Sequence, residues 1–209
     1  MGKRLFDVVV ASLGLVALCP LFVLISVWVK LESPGPVFFR QARVGRGGKI
    51  FYIHKFRTMV ADAEQKGAQL SVDGDARVTR SGALLRRFRL DELPQLVDVV
   101  VGNMSLVGPR PEVPRYMAYY PEDVRRRVLS VRPGITDRAS IEFRDEGRML
   151  AASSRPEATY VEEILPRKWQ YYQEYVRGRT FWGDVGLILR TLAAVFGRHG
   201  GGKGHGRRD

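Results

Sequence analysis

Val8 to Val29 (VVVASLGLVALCPLFVLISVWV) runs about 22 residues without a charged side chain. A straight helix of that length measures about 33 Å, enough to cross the hydrocarbon core of a bilayer. A core helix of a soluble protein is rarely apolar on every side for so long. A secretory signal fits poorly, because its apolar region usually runs only about 7–15 residues before a small-residue cleavage pattern. Pro20 stands in the middle of the run. A mid-helix proline removes one backbone hydrogen bond and clashes with the preceding turn, at roughly 3 kcal/mol, although spanning helices tolerate such kinks. Lys3 and Arg4 precede the segment, and Lys30, Arg40, Arg43, Arg46 and Lys49 follow it. The positive-inside tendency draws both ends to the cytoplasm. A straight span cannot satisfy both ends; a helix that enters, bends at Pro20 and returns can. These arguments leave both geometries open.

The formal charge is +12, and 45% of residues are hydrophobic. Such a chain builds a real core, and its basic excess favours a polyanionic partner, either nucleic acid or an anionic membrane surface. The apolar N-terminus decides for the membrane. With Cys19 as the single cysteine, an intramolecular disulfide framework is excluded and a cysteine zinc site disfavoured. His54, His199 and His205 lie too far apart in sequence to suggest a histidine metal site. Gly197 to Asp209 reads as a flexible, basic, glycine-rich tail.

Between these ends the pattern is mixed. Val37 to Val44 and Ile50 to Met59 are rich in aromatic and β-branched residues around GRGGK, which predicts a β-hairpin. GRGG lacks the ending of a phosphate-binding Walker loop and reads as the hairpin turn. A short polar helix is expected over Ala61 to Gln69, another from Ser81 to Phe88, and a third from near Asp91 to Val101 with Pro94 in its first turn. Ser105 to Pro111 reads as a tight loop. Glu157 to Arg177 and Thr180 to Phe196 read as long helices, the last able to pack in the core or lie in a membrane interface.

The residues with most chemical promise fall in RLDELPQLVDVVVGNMSLVGPRPE, Arg89 to Glu112. Asp91 and Glu92 are neighbours, so on a helix their side chains diverge by about 100°. They cannot face each other as an acid/base pair, but can divide two jobs: one carboxylate attacks phosphorus, the other holds a hard cation. A helix beginning at Asp91 would add a dipole favourable to phosphate. Two acids capping a helix in its first turn are commonplace, and on spacing alone that is the favoured explanation of the pair. Arg110, braced by Pro109 and Pro111, could present a bidentate fork to phosphate, or merely pair with Glu112. Lys55 and Arg57 share a strand face and could meet a nucleotide or only water. Asp184 interrupts an apolar run and could serve as the cap of the last helix.

At this point the motifs resemble a known family. KRLFD (3–7), FFRQARVG (38–45), KFRTM (55–59), LDELPQL (90–96), GNMSLVGPRPE (102–112) and VRPGIT (131–136) occur in order, as in the bacterial sugar transferases, and more narrowly the small monotopic phosphoglycosyl transferases. The resemblance implies an α/β, mostly helical fold with an N-terminal re-entrant membrane helix broken at Cys19-Pro20, a β-hairpin and amphipathic interfacial helices. It implies a membrane helix over residues 1–30, a catalytic domain over 31–196 on the cytoplasmic face of the bacterial inner membrane, and the tail over 197–209. The implied reaction moves a sugar-1-phosphate from a UDP-sugar to undecaprenyl phosphate and releases UMP, as a first step of glycan assembly. Asp91 is then the nucleophile of a covalent intermediate, Glu92 a ligand of the cofactor Mg2+, and Lys55, Arg110 and Asp184 further site residues. Arg57, Pro109 and Pro111 join Lys55 and Arg110 in binding substrate. No nucleic-acid partner is expected, and a homodimer is left open. The rival reading is a non-catalytic, membrane-anchored basic adaptor for anionic lipid or RNA. Cys19-Pro20 replaces the usual Ser-Pro, and Asp137-Arg138-Ala139-Ser140 replaces a glycine-rich continuation after VRPGIT. The second departure bears on the sugar pocket, and the sugar is left unnamed.

Overall fold

The protein's computed structural model describes residues 2–63 and 70–197. Most of the short helix expected over Ala61 to Gln69 therefore falls outside the described residues, as do His199, His205 and all of the tail beyond Gly197.

The apolar segment folds as two helices, α1 (Gly2–Ala17) and α2 (Cys19–Glu32), bent by 61°. Among the described residues no single helix is long and apolar enough to cross a membrane, whereas this bent pair is by length and composition. The break falls at Leu18 (φ −89°, ψ 0°), two residues before the proline. Pro20 occupies the first turn of α2 rather than a mid-helix kink. Its missing N–H costs nothing there, and its fixed φ suits a helix start. Leu18 still donates to Gly14 O (2.9 Å) and accepts from Phe22 N (2.9 Å), so the two helices remain hydrogen-bonded across the break.

Both ends of the pair are fastened to the rest of the fold. At the start, Arg4 donates to the carbonyls of Val99 (2.7 Å) and Val100 (3.1 Å). These lie at the end of α4 (Gln95–Val101), where helical carbonyls lack internal partners. At the other end, the Arg57 guanidinium donates to Val29 O, to Ser33 O (2.7 Å) and Oγ (2.9 Å), and to Pro34 O (2.9 Å). Glu32 accepts from the backbone of Arg80 (2.9 Å) and Ser81 (3.0 Å), capping α3 (Arg80–Arg87). Leu5, Leu13, Val16, Val23, Leu24 and Leu31 are left exposed. An uncovered apolar face of this extent marks a membrane or partner surface.

The hairpin forms as expected from β1 (Phe38–Val44) and β2 (Ile50–Phe56), antiparallel with Phe38 opposite Phe56 and Val44 opposite Ile50. Gly47 and Gly48 supply the positive φ of its turn. His54 is tied to the buried Asp98 of α4 through its backbone N and its Nδ1, both at 2.9 Å. The loop expected from Ser105 holds instead a strand, β3 (Ser105–Val107). After α5 (Pro114–Met117) and α6 (Glu122–Val128), β3 pairs in parallel with β4 (Gly134–Thr136). A Cβ on Gly134 would collide with the Gly108 backbone, so the approach requires glycine.

α7 (Arg138–Glu142), α8 (Glu146–Ala151) and α9 (Pro156–Thr159) follow. A π-helical turn, Tyr160–Ile164, joins α9 to α10 (Leu165–Gly178), and α11 (Phe181–Phe196) ends the described chain. The two long helices are thus present, the first with a widened turn. The fold is mostly helical. One core joins Tyr116, Tyr120 and Val124 to Tyr160, Ile164 and Tyr172. A second joins Ala11 of α1 to Phe51, Ile53, Val99 and Met104, and a third joins Ile25 and Val29 of α2 to Phe56 and Leu85. The bent pair therefore packs into the body as well as exposing an apolar face.

Candidate active site

Helix α3 ends at Arg87 with Phe88 as its cap, and Arg89 then takes the left-handed conformation (φ 56°, ψ 21°). A non-glycine residue there costs of order 1–3 kcal/mol and is most often found where geometry matters for function. The reversal throws Leu90–Glu92 into a separate 3-10 turn. The expected helix from Asp91 is thereby corrected: α4 begins at Gln95, and Pro94 precedes it. Pro94 has no N–H to donate to Leu90 O, which accepts from Leu93 N (3.3 Å) instead. The dyad sits in the 3-10 turn that precedes α4 rather than in α4 itself.

Asp91 and Glu92 are each 7% exposed, and their surroundings differ. Glu92 Oε1 accepts from Lys55 Nζ (2.7 Å), and both Nη atoms of Arg110 grip its two oxygens in a fork, with Nη1 3.0 Å from Oε2. Arg89 adds a longer contact (3.9 Å). The Asp91 carboxylate accepts no hydrogen bond among the described residues. Burial alone would raise both acids. For Glu92, Arg110 and then Lys55 overcome it and hold the carboxyl well below its usual range. For Asp91 burial wins, with Lys55 the main opposing influence, and the carboxyl is pushed up. Adjacent carboxylates have thus been driven apart, a pattern that assigns acids to different roles.

The two cations on Glu92 are not equivalent. Burial pulls Lys55 below its ordinary value despite Glu92, whereas Arg110 is raised because attraction to Glu92 outweighs burial. The bidentate Arg110 contact is the dominant one, as a planar fork on a carboxylate should be.

Arg110 is held by its loop. Pro109 O accepts from Gly134 N (3.0 Å), and Pro111 O accepts from Arg43 (2.9 Å). The β3–β4 pair thus sets the GPRP loop. Glu112 is not the partner of Arg110; it accepts from Tyr160 Oη (2.7 Å) and faces Arg43 (3.9 Å). Arg57 is committed to the end of α2, so its guanidinium supports the fold beside the site. Asp184 also lies elsewhere. It accepts from Lys3 Nζ (2.5 Å), beside Asp7, whose Oδ2 accepts from Ser105 Oγ (2.7 Å). The cap of α11 is Thr180, which accepts from Gly183 N. Sequence reasoning missed Arg86, held by Thr58 Oγ1 (2.9 Å) and Ser71 Oγ (2.6 Å) and attracted by Asp91. Its signal was its place at the end of α3, five residues before Asp91.

These groups share one cleft of about 1660 Å³. Asp91, Glu92, Lys55, Arg86, Arg89 and Arg110 line its polar part, and Val10, Leu93, Leu96, Ile188 and Leu192 an apolar part; Asp184 is not in its lining. Among the described residues no three His, Cys, Asp or Glu side chains converge as a metal cage. The arrangement offers a desolvated carboxylate, a fixed guanidinium and an ammonium, beside apolar side chains that include Val10 of α1.

This combination of a bent apolar helix pair and an anion-handling cleft agrees with the sequence comparisons. The chain belongs to the bacterial sugar transferase family, which it matches over residues 1–198. It is 39% identical over 202 residues to a UDP-glucose:undecaprenyl-phosphate glucose-1-phosphate transferase of Xanthomonas campestris pv. campestris, covering 95% of this chain and 39% of that protein. It is 37% identical to a UDP-N-acetylgalactosamine-undecaprenyl-phosphate N-acetylgalactosaminephosphotransferase of Aeromonas hydrophila, covering 92% and 43%. A UDP-glucose:undecaprenyl-phosphate glucose-1-phosphate transferase of Caulobacter vibrioides is 38% identical, covering 93% and 70%. The chain thus spans less than half the length of the first two relatives.

Proposed function

We propose that this chain transfers a sugar-1-phosphate from a UDP-sugar to undecaprenyl phosphate. The observation that carries the reading is the split dyad: a desolvated Asp91 beside a Glu92 held ionised by Arg110, on the wall of a cleft that also reaches α1. In the first step an Asp91 carboxylate oxygen attacks the sugar-bearing phosphorus. The bond from that phosphorus to the bridging oxygen breaks, and UMP leaves with the electron pair. In the second step a phosphate oxygen of undecaprenyl phosphate attacks the same phosphorus, the bond to Asp91 breaks, and the carboxylate is restored. Arg110 and Lys55 bind and orient the diphosphate, drawing on charge they now share with Glu92. Leu93 and Leu96 line the approach and exclude water that would otherwise hydrolyse the intermediate.

For Mg2+ the cleft wall offers Glu92, whose oxygens already accept from Lys55 and Arg110, and beside it the Asp91 carboxylate, which accepts no hydrogen bond among the described residues. Glu92 is an ionised hard-oxygen donor on the cleft wall, and Mg2+ is commonly held by one or two carboxylates with phosphate oxygens and water. When bound there, it would neutralise charge on the diphosphate. We take residues 1–30 as the membrane element and 31–196 as the catalytic body, on the cytoplasmic face of the inner membrane. The hydrogen bonds that fasten both ends of the bent pair to one body support a re-entrant course. A cysteine placed at position 2 should then react with a membrane-impermeant reagent only from the cytoplasmic side.

The activity is tested by UMP release from a panel of UDP-sugars with undecaprenyl phosphate and Mg2+. Wild-type turnover in Asp91→Asn would remove the covalent mechanism. Absence of UMP release with every donor would remove the reaction.

A further inference from the structure

The cleft holds a second cationic feature, away from the dyad's own contacts. Its wall includes Ser140, Ile141, Phe143, Arg144 and Gly147, from the segment joining α7 to α8. The basic side chains near Arg144 are occupied. Arg138 pairs with Glu174 (3.2 Å) and lies over the Tyr171 ring, Lys168 pairs with Glu146 (2.5 Å), and Arg148 faces Asp145 (3.9 Å). Arg144 is half-buried and makes no hydrogen bond or ion pair among the described residues, although acids follow it at positions 145 and 146. Those acids are turned to Arg148 and Lys168 instead. The backbone carrying Arg144 is fixed on both sides: Phe143 N donates to Ala139 O (2.8 Å), Glu146 N to Phe143 O (3.1 Å), and Asp73 N to Gly147 O (3.1 Å). Phe143 packs edge-on against Tyr171.

A partly desolvated guanidinium with no partner among the described residues, carried on a backbone fixed at both sides and lining the same cleft as the dyad, is suited to gripping an oxyanion. Two phosphate-bearing molecules could use it, the nucleotide sugar or the lipid phosphate. The lipid must come from the exposed apolar face of α1 and α2, past Val10, Leu93 and Leu96. The α7–α8 wall sets Ser140, Arg144, Asp145, Glu146 and Arg148 beside Ile141 and Phe143, and its α8 part packs on α9. We infer that Arg144 recognises the donor, binding an oxyanion of the nucleotide sugar and so contributing to donor selection. The inference rests on the reaction proposed above.

The experiment compares wild type, Arg144→Ala and Arg144→Lys in lipid nanodiscs, with initial rates measured against donor and lipid acceptor separately. UDP binding is measured in parallel by calorimetry on the Asp91→Asn background, which cannot turn over. Loss of a charge-assisted contact should raise the donor KM and weaken UDP binding or sugar discrimination about 10- to 100-fold. The acceptor KM should stay constant, and Arg144→Lys should recover part of the loss. An equal rise in acceptor KM alone would assign the grip to the lipid phosphate and overturn the inference. Unchanged kinetics and binding with unchanged melting would also overturn it. If wild type releases no UMP but binds UDP, the reaction fails while Arg144 is still judged by the calorimetry. No UDP binding by the parent would overturn both.

Discussion

Removing one charge from each member of the dyad should move stability in opposite directions. Glu92 carries a carboxyl depressed by Arg110 and Lys55, so it contributes stability above its unfolded value, which is lost as pH falls through the folded value. Glu92→Gln removes that contribution at neutral pH and leaves Arg110 and Lys55 buried without a counter-charge. Breaking a buried pair on one side costs about 3–5 kcal/mol, and the amide oxygen that remains as an acceptor favours the lower end. For a chain of this size 1 kcal/mol shifts the melting temperature by about 2–4 °C, so a drop of roughly 6–12 °C is expected. Asp91 is the reverse case. Its carboxyl is raised by burial, so its contribution is present below the unfolded value and lost as pH rises through the folded one. Above the folded value the chain holds a desolvated carboxylate that accepts no hydrogen bond, and Asp91→Asn relieves it. That variant should melt at or above wild type, with the advantage vanishing as the pH falls below the ordinary aspartate range. The measurement is thermal unfolding in detergent with EDTA, across pH. A drop in Asp91→Asn as large as in Glu92→Gln would refute the account of the two environments.

Arg110→Lys keeps the charge but loses the fork, and kcat/KM for UMP release should fall about 10- to 150-fold, the worth of one charged hydrogen bond; activity within a factor of two would show that geometry at this position is unimportant. Gly134→Ala forces a Cβ into the Gly108 backbone, so the GPRP loop should shift and stability fall by about 3 kcal/mol or more, read as lower yield and melting temperature. Tyr160→Phe removes the hydroxyl that donates to Glu112 and should cost about 1–2 kcal/mol in denaturant unfolding while leaving UMP release nearly intact.

How legible this protein was depended on the range of the signal. The apolar run, the hairpin and the last helix announced themselves through composition and period. The β3–β4 pair did not, because strands of three residues are too short for alternation to register, and what joins them is two glycines at a close approach. The dyad, Lys55 and Arg110 could be named from their motifs, but not the unequal environments of Asp91 and Glu92. Those depend on which cation reaches which oxygen, information that lies between β2, the dyad turn and the GPRP loop. From the residues alone Asp184 reads as a cap of the last helix, and only the family resemblance implies a site role for it. Its ion pair with Lys3, 181 positions away, explains it without placing it in the cleft. Arg86 was passed over as one more arginine in a basic helix.

The fastening of α1 and α2 at both ends sets a limit on engineering. Ala11 and Val29 belong to the interior, and Arg4 and Arg57 spend their guanidinium groups on carbonyls at the ends of α4 and α2. Trimming this bent pair away to obtain a water-soluble body would unroof two cores and strip the closing ligands from α4. The helices that carry the exposed apolar face are a wall of the protein rather than a detachable stalk.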